Sequence, residues 1–193
     1  MATSIRLERT AIAEVMAIFP PEFPDARGTF AEAYNKRTFA ELGITWEFVQ
    51  DNQSLSSNKG TIRGLHFQIP PAAQTKLVRV LRGSVLDVAV DIRHGSLTYG
   101  KHVTQILSEA NKAQFLIPEG FAHGFCTLED DTIVLYKVTR HYSPLHERGL
   151  IWCDSALKID WGISDAQALL NPRDKEFPAL RELPRYFEYR DSR

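Results

Sequence analysis

The sequence has few cysteines and almost no net charge. Its 193 residues include only two cysteines, and 23 basic residues against 24 acidic ones leave a formal net charge of -1. Cys126 and Cys153 are too few for a disulfide framework and lack the C-x-x-C spacing of zinc or redox sites, so we expect buried, reduced thiols. Because the net charge is so small, no overall field attracts DNA or an anionic membrane. An anionic ligand must therefore meet a local cluster of charges.

The chain also lacks the apolar stretches that direct a protein to a membrane or a secretory pathway. No apolar run approaches the roughly 18 residues of a membrane span. Residues 1–11 lack the apolar core of a secretory signal. We therefore expect a cytoplasmic protein that has neither nucleic acid nor membrane as a partner. The length suits one domain over residues 1–193.

Short alternating segments dominate residues 45–140 and indicate a mainly β fold. Leu86, Val88 and Val90, for example, fall on one face of the segment Val85–Asp91. The other predicted strands are Trp46–Asn52, Thr61–Gln68, Leu77–Arg82, His102–Leu107, Ala113–Ile117, His123–Leu128 and Thr132–Thr139. Strands this short and closely spaced favour an antiparallel sandwich or barrel.

Helical signal is weak, and the chain ends in a polar segment without strand pattern. Short peripheral helices are predicted near Thr38–Leu42 and Asp165–Leu170. The C-terminal segment, about residues 162–193, is interrupted by prolines but carries several large apolar side chains. These are Leu169, Leu170, Phe177, Leu180, Leu183, Tyr186 and Phe187. Because exposing so many apolar side chains to water is unfavourable, we expect this segment to dock on the barrel.

Residues that can perform chemistry are concentrated on the segment Arg63–Gln68. In a regular strand, His66 shares a face with Gln68, whereas Arg63 points to the other face. If Arg63 and His66 meet one ligand, the strand must bulge between them, and Gly64 is the easiest place for a bulge. The alternative, that Arg63 faces solvent, is equally compatible with the pattern.

Two motifs are similar to those of the cupin fold, but the usual metal ligands are missing. Pro118-x-Gly120-x-x-His123 resembles the second cupin motif, whose histidine often binds a metal. The first motif supplies His-x-His and then a carboxylate; here it has His66 and Gln68, with Lys76 near the carboxylate position. An amide and a cation are poor ligands for a divalent metal. We therefore predict a cupin pocket that has kept its shape and lost its metal.

A pocket with histidine, lysine and tyrosine but no metal suits proton transfer beside a carbonyl group. A neutral His66 can remove a proton bound to carbon. Lys76 can stabilise the negative charge that develops on the carbonyl oxygen. Tyr136 can return a proton from the opposite face, which inversion of a carbon centre requires. Taken singly, each of these residues is more often structural, so the residues alone indicate only a β-barrel with a polar pocket.

Several longer motifs resemble one family over most of the chain. They are Phe48–Ser54, Arg63–Gln68, Lys76–Val80, Asp87–Arg93 and Ile117–Phe125. In this order they are similar to the dTDP-4-dehydrorhamnose 3,5-epimerase family. The similarity extends from about Asp25 to Trp152 and more weakly to Asp174.

This resemblance implies a cupin jelly-roll fold, a homodimer with an exchanged N-terminal strand, and no cofactor. It implies that His66 is the catalytic base, Tyr136 the proton donor and Lys76 the group that stabilises the enolate. Asp174 is the best match for the aspartate that the family pairs with its base. The implied contacts to the nucleotide sugar are Arg27, Glu32, Gln50, Asn52, Arg63, His123 and Glu147. The resemblance also favours the bulge at Gly64.

Two positions depart from the family pattern. Arg173 replaces a common lysine, which keeps a charge for phosphate binding but alters its geometry. His141 precedes Tyr142 where paired aromatic residues often stack on the nucleobase, so base recognition is altered here.

The resemblance leaves four functions to distinguish. The first is epimerisation of dTDP-4-dehydro-6-deoxy-D-glucose at C3 and C5 to give dTDP-4-dehydro-L-rhamnose. The second is epimerisation at C3 alone of a nucleotide-linked 4-keto-6-deoxy sugar. The third is a cupin-fold binding module without turnover, which a paired acid and base disfavour. The fourth is a metal-dependent cupin oxygenase, which Gln68 and Lys76 disfavour.

Overall fold

The computed structural model describes residues 4–189. The strands in this range are β1 (Arg6–Arg9), β2 (Met16–Phe19), β3 (Glu22–Asp25), β4 (Gly28–Ala31), β5 (Gln50–Ser56), β6 (Ile62–Gln68), β7 (Lys76–Arg82), β8 (Ser84–Asp91), β9 (Arg93–His94), β10 (His102–Ser108), β11 (Gln114–Ile117), β12 (Phe121–Thr127), β13 (Thr132–Val138), β14 (Glu147–Gly149) and β15 (Phe187–Glu188). One α-helix, α1 (Lys36–Glu41), and the 3-10 helices Asp165–Gln167, Pro172–Lys175 and Leu180–Glu182 complete the elements.

Two antiparallel sheets form the body of the protein. One has the strand order β1-β2-β11-β7-β13-β5, and the other has the order β10-β8-β12-β6-β14. Between them lies a core of alternate side chains from both sheets, including Val78 and Phe115 from the first and Ala89 and Phe125 from the second. The predicted mainly β sandwich with short peripheral helices is confirmed.

The outer faces of both sheets are covered by other parts of the chain. Helix α1 places Phe39 on the six-stranded sheet, against Ile18 and Leu116. The segment after β14 covers the five-stranded sheet, where Trp152 and Trp161 join a second buried cluster. Both sheets can therefore carry apolar residues on their outer faces.

The C-terminal segment docks on this second cluster, as its apolar residues predicted. Leu170, Leu180, Leu183 and Phe187 pack into the cluster. Strand β15 also pairs in parallel with β9. Residues 190–193 of the predicted segment lie outside the described range.

Two expectations need correction. Strands β1 to β4 precede the region in which strands were predicted, and β5 begins at Gln50 instead of Trp46. Cys126 is buried as expected, but Cys153 is exposed, because it lies in a turn that follows Trp152.

No helix in the described range is both long enough and apolar enough to cross a bilayer.

Candidate active site

A polar cavity of about 500 Å³ lies between residues of the two sheets and the C-terminal segment. It is lined by Ser54, Asn58, Thr61, Ile62, Arg63, His66, Lys76, His123, Phe125, Tyr136, Glu147, Leu169, Leu170, Asn171, Arg173 and Asp174. Both sheets and the C-terminal segment contribute. The sequence therefore brings together residues that are more than 100 positions apart, such as His66 and Asp174, whose separation is 108.

A bulge in β6 allows Arg63 and His66 to line the same cavity. His66 lies opposite His123 in β12, whereas Arg63 lies opposite Phe125, so three steps along β6 match two along β12. Gly64 has φ +125°, and a Cβ there would lie 2.6 Å from the Cα of Gly124. Only glycine fits this close approach. The predicted bulge at Gly64 is confirmed; Arg63 is exposed, as the alternative expected, and it also lines the cavity.

His66 forms a hydrogen-bonded pair with Asp174. Its Nε2 lies 2.9 Å from Oδ1 of Asp174, whose other oxygen accepts the N–H of Gly64 at 3.2 Å. Burial opposes ionisation of Asp174, but the hydrogen bond and charge of His66, with smaller contributions from Gly64 and Arg173, bring its pKa below the ordinary value. A carboxylate therefore accepts the Nε2 proton, which leaves Nδ1 as the nitrogen that can accept another.

The position of Asp174 depends on the short helix Pro172–Lys175. Asn171 caps this helix, since its side chain accepts the N–H of Arg173. Pro172 occupies the first turn, where its missing N–H costs nothing. Asp174 is the buried residue of this helix. The capped turn therefore places the Asp174 carboxylate next to β6.

Lys76 lies at the floor of the cavity with its ammonium group directed at β6. Its Nζ donates to the backbone carbonyl of His66 at 3.1 Å. Burial lowers the pKa of Lys76 to about 8, although the charges of Asp87 and Glu147 act in the opposite direction. An ammonium in such a site is a strong donor to a developing oxyanion, because little water competes with it.

A pH profile should report the ionisation of Lys76. If the ammonium stabilises the reacting oxygen, the protonated form is active; it is present below about pH 8 and is lost as the pH rises through that value. We therefore expect kcat/KM to fall above about pH 8, and we expect Lys76→Arg, which stays protonated, to lose this alkaline limb.

Lys137→Met is the matched control, since Lys137 pairs with Asp51 at 2.9 Å on the outer side of its strand. This variant should keep the wild-type limb. An unchanged limb in Lys76→Arg would contradict the assignment.

His123 forms a buried hydrogen-bonded pair with the carboxylate of Asp87. His123 Nε2 lies 2.9 Å and 3.1 Å from the two oxygens of Asp87, and both side chains are buried. Burial raises the pKa of Asp87 and lowers that of His123, and their mutual attraction offsets part of each shift. The predicted substrate contact of His123 must therefore use the rest of its ring.

Asp87 was missed as a site residue, although the sequence carries a signal for it. In the strand Val85–Asp91 the apolar residues Leu86, Val88 and Val90 share one face, which places Asp87 on the opposite face, toward the cavity. A buried carboxylate in a strand needs a partner. That partner is His123 on β12, the strand that pairs with β8.

Tyr136 belongs to β13 of the six-stranded sheet, whereas His66 belongs to the five-stranded sheet. The two side chains therefore enter the cavity from facing walls. Burial raises the pKa of Tyr136, so its hydroxyl stays protonated at neutral pH. No residue in the part of the chain that the structure describes forms a hydrogen bond with this hydroxyl. It remains available to a ligand.

Charged and polar residues surround the mouth of the cavity. Arg173 binds Glu147 through two nitrogens, at 2.7 Å and 3.2 Å, and the Tyr142 hydroxyl donates to the same carboxylate at 2.8 Å. Arg63 is held by Ser56 Oγ at 3.1 Å. Two guanidinium groups at one opening can bind a diphosphate by paired hydrogen bonds.

Strand β5 forms one edge of this mouth. Gln50 and Asn52 share a face with Ser54, which lines the cavity, and Gln50 donates to Asn52 at 2.7 Å. Sequence reasoning missed Ser54, whose Oγ is buried without a hydrogen-bond partner among residues 4–189. The signal was its place two residues beyond Asn52 in an alternating strand.

Arg27 and Glu32 are not brought to this cavity. Arg27 lies at the end of the hairpin β3–β4, where its side chain is 89% exposed and pairs with Asp25. Glu32 follows the same hairpin and faces Thr38. The structure of one chain does not place these two residues on the cavity that holds His66, and their contact with a nucleotide sugar stays a prediction.

Gln68, which replaces a metal ligand of other cupins, has a structural role. It donates to the carbonyls of Ala72 and His141 and accepts the N–H of Ser143 at 2.7 Å. Within residues 4–189, no three histidine, cysteine, aspartate or glutamate side chains converge as metal ligands would. The absence of a metal stays a prediction that rests on the residue types.

Comparison with known proteins agrees with this geometry. The model of the dTDP-4-dehydrorhamnose 3,5-epimerase family matches residues 9–182. The chain belongs to this family. A dTDP-4-dehydrorhamnose 3,5-epimerase from Sinorhizobium fredii is 50% identical over 179 residues, which cover 93% of this chain and 91% of the relative.

Two further similar proteins are a 3,5-epimerase of known structure and a 3-epimerase. The crystal structure of a dTDP-6-deoxy-D-glucose-3,5-epimerase from Legionella pneumophila, in complex with dTDP-4-keto-L-rhamnose, superposes with a TM-score of 0.92 at 43% identity, covering 96% of this chain and 99% of its own. A dTDP-4-dehydrorhamnose 3-epimerase from Streptomyces niveus is 37% identical over 92% of this chain and 85% of its own length. The predicted cupin jelly-roll fold and the family resemblance are confirmed.

Proposed function

We propose that this epimerase family member inverts C3 and C5 of dTDP-4-dehydro-6-deoxy-D-glucose and yields dTDP-4-dehydro-L-rhamnose. The observation that carries the proposal is the placement of a candidate base and a candidate acid on facing walls. His66, paired with Asp174, lies on one sheet, and Tyr136 lies on the other. Inversion of a carbon centre requires removal of a proton from one face and its return to the other.

Each inversion is a proton transfer in two steps. His66 takes the proton from the carbon beside the C4 ketone; the electron pair of that C–H bond forms a carbon–carbon double bond, and the π pair of the carbonyl moves onto its oxygen to give an enolate. Lys76 donates a hydrogen bond to this oxygen. The enolate then collapses and takes a proton from the Tyr136 hydroxyl on the opposite face. Exchange with solvent reprotonates the tyrosine and deprotonates His66.

The scheme moves only protons, so it needs no cofactor. Gln68 and Lys76 at the positions of metal ligands support a metal-free reaction. The enzyme should keep its full activity after treatment with a chelator. Stoichiometric iron or manganese in active protein would instead favour an oxygenase.

The nucleotide part of the substrate fits the mouth of the cavity. Arg63 and Arg173 are suited to the diphosphate. Arg173 must then exchange its present partner, Glu147, for phosphate oxygens. The exposed ring of Tyr142 is positioned at the same opening to contact the base.

We also propose a single domain over residues 1–193 that works as a homodimer. The hairpin β3–β4 leaves Phe23 and Phe30 exposed, with ring centroids 6.1 Å apart. A two-stranded hairpin is only marginally stable by itself. Docking on a second copy would bury these rings and bring Arg27 and Glu32 to the partner's cavity. Analytical ultracentrifugation that gave the mass of one chain, 21.9 kDa, would contradict the dimer.

Reaction in deuterated water tests the proposed function. Incubation with dTDP-4-dehydro-6-deoxy-D-glucose should place deuterium at both C3 and C5 of a product with the L configuration, because each inversion takes its new proton from solvent. Label confined to C3 would select the second candidate, a 3-epimerase, which is the activity in the name of the Streptomyces niveus relative. Recovery of unchanged substrate without label at either carbon would support a binding module.

A further inference from the structure

Gly149 and His66 lie directly opposite each other on β14 and β6. The space that a side chain at position 149 would occupy is filled by the ring of Phe177 from the C-terminal segment. A methyl group at position 149 would overlap three atoms of that ring. The backbone of Gly149 does not have a positive φ, so its conformation does not require glycine. Glycine is needed at this position because it leaves room for the Phe177 ring.

From this position against Gly149, the Phe177 ring makes a T-shaped contact with the imidazole of His66. The centroids of Phe177 and His66 are 5.6 Å apart, and the ring planes meet at 81°. The next residue, Pro178, accepts the N–H of Ile151 at 2.9 Å, which ties the segment to the chain just beyond β14. The guanidinium of Arg173 lies over the Phe177 ring, 5.8 Å from its centroid.

The hydrogen bond to Asp174 does not by itself fix the plane of the His66 ring. A single bond at Nε2 defines where that nitrogen lies, but the ring can still tilt about the line from Nε2 to the carboxylate. An aromatic ring that meets the imidazole nearly at right angles blocks this tilt. Two contacts of different kinds then define both the position and the plane of the base.

We infer that Phe177, seated on Gly149, is a positioning residue for the catalytic base. It holds the imidazole so that Nε2 stays on Asp174 and Nδ1 stays directed at the carbon that loses its proton. The inference rests on the role proposed for His66. Because Phe177 touches neither substrate nor the reacting atoms in this scheme, its removal acts on the chemical step and not on substrate binding.

The substitution Phe177→Ala should lower kcat about tenfold with little change in KM, because a small misplacement of a catalytic group is costly. Phe187→Ala is the matched control. Phe187 belongs to the same C-terminal segment and packs on Phe67, with ring centroids 6.1 Å apart. A merely structural role for the segment would give both variants the same loss. That result, or a Phe177→Ala enzyme with wild-type kcat, would overturn the inference.

Gly149→Ala tests the seat itself. Its methyl group should push the ring away from His66 and reproduce the kcat loss of Phe177→Ala. The double variant should then be no slower than either single variant, since both remove the same contact. Losses that multiply would contradict a shared mechanism. Circular dichroism and thermal unfolding of Phe177→Ala, Phe187→Ala, Gly149→Ala and the double variant verify that these proteins are folded.

A readout without substrate separates this inference from the proposed function. NMR of the wild-type protein should find one sharp set of ring signals for His66, and Phe177→Ala should keep the Nε2 proton that Asp174 accepts but broaden or split these signals, because the ring then samples several planes. This result is readable even if the protein epimerises neither carbon. A spectrum of His66 that Phe177→Ala leaves unchanged would overturn the inference, whatever the activity.

Discussion

His66→Asn should lower kcat by about 10²–10⁴-fold, the range that a general base contributes. Asparagine keeps a polar group near Asp174, so the buried carboxylate retains a hydrogen-bond donor, but its amide cannot accept a proton from carbon. KM should change little, because the groups assigned to the nucleotide lie at the mouth of the cavity and are untouched. Direct NMR of the nucleotide sugars measures both constants.

The control for this variant is His102→Asn. His102 lies on β10, the edge strand of the same sheet, and does not line the cavity. Its replacement should leave kcat within about twofold of the wild-type value, as expected for sites away from the chemistry. A His66→Asn enzyme with wild-type kcat would contradict the assignment of the base. A wild-type kcat in His66→Asn would mean that this cavity does not catalyse the reaction.

Tyr136→Phe should separate deprotonation from inversion. Without the hydroxyl, protonation on the far face fails, and we expect net epimerisation to fall by about 10²–10³-fold. His66 can still remove a proton and return a deuteron to the same face. The substrate should therefore gain deuterium while keeping its configuration.

Tyr136→Phe should leave the fold intact, because the Tyr136 hydroxyl has no hydrogen-bond partner among residues 4–189. Its loss leaves no buried group unsatisfied, and stability should change by less than about 1 kcal/mol. Tyr34→Phe is the control, since Tyr34 packs beside Phe39 outside the cavity. Loss of exchange and inversion together in Tyr136→Phe would contradict the division of roles between the two walls.

The sequence predicted most of the central strands because each is short, alternating and followed by a turn. It did not predict β1 to β4. Strand β4, Gly28–Ala31, is almost entirely exposed, so it lacks the alternation of a half-buried strand. Its partner β3 contains Pro24, which is atypical of a paired strand. The exposed hairpin β3–β4 therefore offers little pattern to detect, whereas β2 is buried at three consecutive positions and shows no alternation for that reason.

The candidate site was predictable in part. Strand parity identified the conflict between Arg63 and His66 and located the bulge at Gly64, because a period of two leaves few alternatives. The pairing of His66 with Asp174 across 108 residues came from family resemblance, since no local pattern links a strand to a distant 3-10 helix. Phe177 was expected to be buried, but its seat on Gly149 depends on the register of β14, which the sequence does not reveal.

The distribution of charge explains why the site tolerates so many ionisable groups. Lys76 and Asp87 are both buried and attract each other, while Asp174 is paired with His66. Each charge therefore has a partner, as buried charges require. The composition alone, with a formal net charge of -1, gave no indication of this local concentration.

The central claim is that one histidine removes the protons on both sides of a ketone. The most direct test measures deuterium at C3 and C5 of the nucleotide sugar after equal incubations of wild-type protein and His66→Asn in deuterated water. The account predicts label at both carbons with the wild-type protein and at neither carbon with the variant over the same time. Wild-type rates of label uptake at either carbon in His66→Asn would contradict it.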